Sequence, residues 1–311
     1  MEKWVFMFPG QGSQYVGMGR EFYESYEEVR RLFHEASEML GMDMIRLCFE
    51  GPEDELTMTE NVQPAITVMN LACFKILELH DIVPVASIGH SLGEYCALYA
   101  AGVLNMEDLL TLVRARGKLM QEAAERHPGG MIAVMGAPNE AIETLCRDFG
   151  LEIANLNSPN QIILTGPKVA IEKATMDYEK YGIKNCIRLN VSGPWHSSWM
   201  SEAAEKFREV LEKCRFLDPS IPVVSNVDAR PISSGAEAKE KLALQIVKPV
   251  RWIETVQWLV QKGYTNFVEV GPKRVLCGLV KKIHRKATVK HVEDPSTLAE
   301  FLLKNKKGNE N

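Results

Sequence analysis

Ser91 lies in Gly89-His90-Ser91-Leu92-Gly93, with the apolar run Ile82 to Ile88 before it and the helix-forming Glu94-Tyr95-Cys96-Ala97-Leu98-Tyr99-Ala100 after it. In a strand-turn-helix setting, small residues two positions either side of a serine let the backbone kink and push the hydroxyl into the open. The helix that begins there also turns free N–H groups and its positive dipole end toward a developing oxyanion. The spacing therefore points to nucleophilic acyl chemistry on Ser91, set against the plainer reading of a structural turn.

A serine nucleophile needs a base, and the chain has seven histidines. His90 adjoins Ser91, so its side chain is expected on the other side of the turn. His34, His80 and His127 stand in polar or element-end contexts and read as surface residues. His196, in Ser192-Gly193-Pro194-Trp195-His196-Ser197, remains a candidate with the late pair His284 and His291. The order serine, acid, late histidine of an α/β-hydrolase would admit Asp228 with His284. His284 is set among Lys281, Lys282, Arg285 and Lys286, a poor environment for a base.

Arg116 is the second chemical signal. Within Leu109 to Glu125, residues Leu112, Val113, Leu119, Met120 and Ala123 share one apolar helical face, and Arg116 falls in its middle. A guanidinium on a buried face demands an anionic partner or several acceptors. A structural ion pair would satisfy it, as would a clamp on a substrate carboxylate, which the planar fork fits.

The composition, 46% apolar and 25% charged, is that of a globular protein. A formal net charge of -5 argues against a nucleic-acid partner. The basic cluster at 281–286 reads as a solvated helix face or, less plainly, a patch for an acidic partner. Seven cysteines without a CxxC pair describe neither a disulfide framework nor a zinc site, and they suit a reducing cytosol. The apolar start Trp4 to Phe8 is too short for a signal sequence, and no run approaches the ~18 apolar residues of a membrane span. A cytoplasmic protein with no membrane partner, no metal and no cofactor is expected.

The elements that must position these residues read as α/β. Trp4 to Phe8 is a strand, followed by Pro9-Gly10-Gln11-Gly12-Ser13-Gln14, which fails as a dinucleotide loop because Tyr15 stands where glycine is needed. Helical stretches run to about His80, and Ile82 to Ile88 reads as a buried parallel strand. From 128 to 193 the order is strand (Met131 to Met135), helix (Asn139 to Phe149), strands (Leu151 to Leu156, Gln161 to Thr165), helix (Val169 to Tyr181) and strand (Ile183 to Leu189). That is the βαββαβ order of a ferredoxin-like small domain, inserted in a large α/β domain formed by 1–127 and 194–311. The large domain resumes with Pro222 to Asn226, a helix at Trp252 to Gln261 and the strand Phe267 to Val270. The tail from Lys304 to Asn311 is expected to be disordered.

Taken together, these motifs resemble the malonyl-CoA:acyl carrier protein transacylase family, which includes the acyltransferases of fatty acid and polyketide synthesis. The resemblance runs from Phe6 to about Leu279. It rests on Phe8-Pro-Gly-Gln-Gly-Ser-Gln14, Gly89-His-Ser-Leu-Gly-Glu-Tyr95, Arg116-Gly-Lys-Leu-Met-Gln121 and Asn157-Ser-Pro-Asn-Gln161. The His196 segment, Ser225-Asn-Val-Asp-Ala-Arg-Pro231, Gln245-Ile-Val-Lys-Pro-Val-Arg-Trp252 and Glu269-Val-Gly-Pro272 continue it.

The resemblance implies an α/β-hydrolase-like large domain with a ferredoxin-like small one, and a ping-pong reaction with malonyl-CoA and an acyl carrier protein as partners; a freestanding polyketide-synthase acyltransferase, a hydrolase of carrier-bound acyl groups and, more remotely, a non-catalytic carrier-binding module are the alternatives. It implies Ser91 as nucleophile, His196 as base oriented by backbone near Gln245, and the N–H groups of Gln11 and Leu92 as the oxyanion hole. Arg116 would bind the malonyl carboxylate. Asn155 and Asn157 would line the gorge, with Met120, Gln245 and Trp195 against the substrate. Two positions depart from the family pattern. Trp195 precedes the base where relatives carry phenylalanine or a small residue, which would narrow or reshape the acyl pocket. Lys273 replaces a glycine after Gly271-Pro272.

Overall fold

The computed structural model describes residues 3–307. The chain opens with β1 (Val5–Phe8) and the helices α1 (Arg20–Ser25), α2 (Glu27–Leu40), α3 (Met44–Phe49), α4 (Glu53–Thr57) and α5 (Thr59–Leu79). Then come β2 (Ala86–Gly89), α6 (Gly93–Ala100) and α7 (Met106–Arg126). The middle of the chain holds β3 (Gly129–Met135), α8 (Asn139–Phe149), β4 (Glu152–Ser158), β5 (Gln161–Pro167), α9 (Lys168–Asp177) and β6 (Asn185–Arg188). Next are α10 (Ser201–Lys213), α11 (Gly235–Gln245), α12 (Trp252–Gln261), β7 (Asn266–Val270), α13 (Val275–Ile283), β8 (Thr288–Val292) and α14 (Pro295–Lys307).

Two sheets result. The first has the order β2-β1-β7-β8 with every pair parallel, and its strands β1 and β2 are buried along their whole length. A strand covered on both faces carries apolar residues continuously, as Val5-Phe6-Met7-Phe8 does. The second sheet, β4-β5-β3-β6, is antiparallel throughout and forms the βαββαβ unit expected from the sequence. Its own core gathers Ile132, Val134, Leu145, Leu164 and Ile171 beneath α8 and α9. A parallel bridge from Asn155 to Val250 ties this sheet to the loop before α12.

Several elements differ from the sequence reading. The strand expected from Ile82 shrinks to Ala86–Gly89, because Pro84 interrupts it and Val83 is 66% exposed. Pro222 to Asn226, where the large domain resumes, contributes isolated bridges, Ser87 to Val223 and Val224 to Pro231. β8 and α14 were not anticipated. The helix runs through Lys307, so 304–307 are helical and not disordered, while 308–311 lie outside the described residues. No run of ~18 apolar residues occurs in α5, where Gln63, Asn70 and Lys75 interrupt it; the helix is long and apolar enough for a span by length and composition alone, and 83% of that stretch is buried inside the fold. Lys273 holds φ 65, a left-handed conformation in which glycine costs nothing, which accounts for the glycine expected there.

The turn between β2 and α6 is fixed sterically. A Cβ on Gly89 would lie 1.9 Å from the carbonyl carbon of Gly93, and one on Gly93 would lie 1.9 Å from the carbonyl oxygen of Phe8. Both obstacles are backbone, so neither can swing aside. The two glycines thus let α6 start directly against β1, with Ser91 at the apex at φ 51. Gly93→Ala is accordingly expected to cost at least about 4 kcal/mol, well above an ordinary core change. Chemical denaturation checks this, and a loss under about 1 kcal/mol would contradict the steric account.

Candidate active site

Ser91 is held in its left-handed conformation from below. Its N–H donates to Asn226 Oδ1 at 2.7 Å, and Asn226 Nδ2 donates to Gly89 O at 2.7 Å. One side chain therefore bridges the two sides of the turn and offsets part of the strain of a non-glycine residue at positive φ. The hydroxyl Oγ lies 2.7 Å from His196 Nε2, and His196 Nδ1 lies 2.8 Å from the carbonyl oxygen of Gln245. A carbonyl can only accept, so Nδ1 carries the proton and Nε2 is free to take one from Ser91. His196 itself has φ 57, so both members of the pair stand on strained backbone. The other candidates are elsewhere. His291 is 3.7 Å from Glu293, His284 follows α13, and Asp228 pairs with Lys241 at 3.1 Å, so the Asp228 and His284 arrangement is not formed. His34, His80 and His127 are exposed, as expected.

His90 turns away from the serine hydroxyl. Its Nε2 bonds Asn157 Oδ1 at 2.8 Å and its ring packs 5.4 Å from that of Trp252, while it still forms part of the cavity wall. That cavity, about 90 Å³, joins Ser91, His196 and Arg116 to Met120, Asn155 and Trp195. Asn155 has a buried Oδ1 with no hydrogen-bond partner among the described residues. Asn157 faces the adjoining space of about 230 Å³, which Gln161, Leu276 and Leu279 also line. Trp195 is 5% exposed and its ring lies over Gly193, where a Cβ would come within 2.4 Å of it.

The backbone N–H groups of Gln11 and Leu92 take no acceptor among the described residues. Leu92 precedes the first turn of α6, where free N–H groups are intrinsic to a helix start. The loop carrying Gln11 presses on the turn: a Cβ on Gly10 would lie 2.5 Å from His90 O and 3.5 Å from Leu92 N. Two unpaired donors flanking a serine can stabilise an oxyanion.

Arg116 is 1% exposed. Nη1 donates to Gln63 Oε1 at 2.8 Å, and Nη2 to Gln245 Oε1 and Ser91 Oγ, each at 3.1 Å, while the guanidinium lies 5.5 Å over the Tyr95 ring. Among the described residues no carboxylate forms an ion pair with it, so acceptors hold it in place of the structural ion pair weighed from sequence. Gly117 allows this, because a Cβ there would stand 2.8 Å from Thr59 O and push α7 off α5, which carries Gln63. Asn226, Gln63 and the fully buried Glu94 are the site residues that sequence reasoning missed. Gln63 had a signal, being polar in the apolar run of α5; Asn226 had none, since its partner Ser91 is 135 residues away.

Burial, reinforced by the Arg116 charge, pushes His196 down to about 3 from an ordinary 6.5. The neutral, proton-accepting form therefore dominates at physiological pH. For the free protein, kcat/KM for acylation of Ser91 should stay flat as pH falls through 6.5 to about 5. The same shift works against folding: below 6.5 the unfolded chain gains a proton that the folded chain refuses until about 3, so this contribution to stability declines across that window. Pre-steady-state acylation across pH checks the first point, and a limb at the ordinary histidine value would contradict it.

The chain matches the acyl transferase domain model over residues 5–310. It is 42% identical over 316 residues to a malonyl CoA-acyl carrier protein transacylase of Bacillus subtilis, with all of both chains covered. It is 38% identical to that of Escherichia coli K12, covering 97% of this chain and 99% of the relative. The solved malonyl CoA-acyl carrier protein transacylase of Clostridium perfringens superposes with a TM-score of 0.94 at 40% identity, over 99% of this chain and 98% of that one. A malonyl-transacylase solved in complex with its type II polyketide acyl-carrier protein gives 0.92 at 38%, over 96% and 98%. Extent, identity and fold agree with the geometry of the site, and the chain belongs to the malonyl-CoA:acyl carrier protein transacylase family of acyl transferases.

Proposed function

We propose that this protein transfers a malonyl group from malonyl-CoA to the phosphopantetheine thiol of an acyl carrier protein through an ester on Ser91. The observation that carries the reading is that one atom, Ser91 Oγ, is met by the base His196 at 2.7 Å and the buried cation Arg116 at 3.1 Å. Ser91 Oγ attacks the thioester carbonyl as His196 Nε2 takes its proton, and the N–H groups of Gln11 and Leu92 receive the oxyanion. The C–S bond breaks, and the sulfur of coenzyme A takes the proton from His196 and leaves as the thiol. The carrier thiol then gives its proton to His196, attacks the ester carbonyl, and Ser91 Oγ recovers the proton as it departs.

Arg116 supplies the selectivity. It already bonds Oγ, so a carboxylate at the far end of a three-carbon acyl group can reach the guanidinium while the ester stays on Ser91. The charge-assisted bonds reward an anionic acyl group, and a neutral one leaves the guanidinium unpaired. Fixing the acyl group also orients the ester for the incoming thiol rather than for water, which favours transfer over hydrolysis. A relative named as a malonyl CoA-acyl carrier protein transacylase and one named for polyketide biosynthesis both match at 42% identity, over 100% and 91% of this chain.

The basic residues Lys281, Lys282, Arg285 and Lys286 are all exposed at the end of α13, whose first turns line the space beside the catalytic cavity. A carrier of acidic surface docked there would bring its arm toward that space. Reversing two of these charges should raise KM for the carrier about tenfold or more and leave KM for malonyl-CoA unchanged; equal KM values for the carrier would return the cluster to a solvated face. Arg116→Ala tests the main reading: the malonyl-to-acetyl ratio of kcat/KM should fall about a hundredfold. An unchanged ratio in a folded variant would overturn the carboxylate role.

A further inference from the structure

Among the described residues no carboxylate forms an ion pair with Arg116, yet one lies a single amide away. Gln245 Nε2 donates to Glu94 Oε2 at 2.5 Å and to Ser91 O at 3.0 Å, while Gln245 Oε1 accepts from Arg116 Nη2 at 3.1 Å. Carboxylate, amide and guanidinium thus form one chain. Its members are 0%, 1% and 1% exposed for Glu94, Gln245 and Arg116, so none can turn to water for a partner. We propose that Glu94 is a positioning residue for acyl selection, holding Arg116 through the side-chain amide of Gln245 as a cation ready for an acyl carboxylate. The proposal rests on the carboxylate-binding reading of Arg116.

The chemistry of an amide explains why this arrangement works. Gln245 offers one acceptor end and one donor end. With acceptors at Glu94 and Ser91 O and a donor at Arg116, only one orientation avoids setting like against like. The carboxylate makes the donor end's bond charge-assisted, and hydrogen bonds in a chain polarise one another, which strengthens the pull of Oε1 on the guanidinium. A carboxylate placed directly on Arg116 would hold it more tightly but would neutralise it and compete with an incoming anion. Interposing the amide keeps the counter-charge near and leaves part of the fork free. Among the described residues no cation forms an ion pair with Glu94; Lys241, whose charge favours the ionised form of Glu94, is itself paired with Asp228 at 3.1 Å and Glu237 at 2.7 Å.

Glu94 has a second contact, because its Oε2 accepts from the Asn226 N–H at 3.3 Å, and Asn226 in turn holds the Ser91 turn. Any variant at 94 therefore reaches the nucleophile as well. Damage to the turn slows every acyl donor alike, whereas loss of Arg116 positioning penalises only the anionic one. The ratio between donors separates the two.

The test compares wild type, Glu94→Gln and Arg116→Ala for acylation by malonyl-CoA and acetyl-CoA at about pH 8, where a carboxyl that burial raises to about 7 is ionised. Glu94→Gln keeps the shape and removes the charge. Its malonyl-to-acetyl ratio of kcat/KM should fall about tenfold, the worth of one charge-assisted bond, with most of the change in KM for malonyl-CoA. An equal loss for both donors, or no loss, would overturn the proposal and leave Glu94 a structural support of the turn. If Arg116→Ala leaves the ratio unchanged, the underlying carboxylate reading fails; if its ratio collapses while that of Glu94→Gln holds, only the positioning proposal fails. Should Glu94→Gln not fold, Gln245→Met removes the relay at similar volume and must show the same selective loss, and a retained ratio there would likewise overturn the proposal.

Discussion

A guanidinium taken out of water beside a nucleophile is the constraint around which the site is organised. Burial alone weakens Arg116's hold on its proton, and Gln63 and Gln245 meet its Nη1 and Nη2 with neutral acceptors, while its buried Nε has no hydrogen-bond partner among the described residues. This solution keeps the charge available. It also sets the character of its neighbour, because the same positive charge helps to keep His196 unprotonated. On the proposed function, selection of an anionic acyl group and readiness of the base are two effects of one buried cation.

The backbone supplies the complementary half. Gly89 and Gly93 allow β2, α6 and β1 to meet at backbone contact, Asn226 pins the apex, and the unpaired N–H groups of Leu92 and Gln11 come from two separate loops at that meeting point. The second sheet closes the cavity with Asn155 and Met131, and the return of the chain from that sheet delivers Trp195 and His196. The site is thus assembled from segments whose relative placement depends on both sheets, which is a common location for small-molecule pockets.

What the sequence disclosed follows from how local each signal is. The serine turn and Arg116 were legible because each is a mismatch visible in a few neighbouring residues: a small-residue kink before a helix, and a charge on an apolar face. His196 needed the family resemblance, since the basic cluster counts locally against His284 but nothing local separates His196 from His291. Asn226 and Glu94 were hidden because their meaning lies in partners more than 130 residues distant, with Asn226 and Glu94 themselves 132 apart. In the fold, the antiparallel unit was read from its alternating elements. β8 escaped because Lys290 and His291 give an edge strand too polar a pattern, and the span before Ala86 was over-read because an apolar run says nothing about the exposure of Val83.

The central claim is that acyl transfer passes through Ser91. Intact-mass analysis and peptide mapping of the wild-type protein after malonyl-CoA, followed by addition of a phosphopantetheine-bearing carrier, test it most directly. The account predicts a mass gain of one malonyl group on the peptide containing Ser91, which disappears as malonyl-carrier accumulates in equal amount. Malonyl-carrier formed with no adduct on Ser91, or an adduct that the carrier thiol does not discharge, would contradict it.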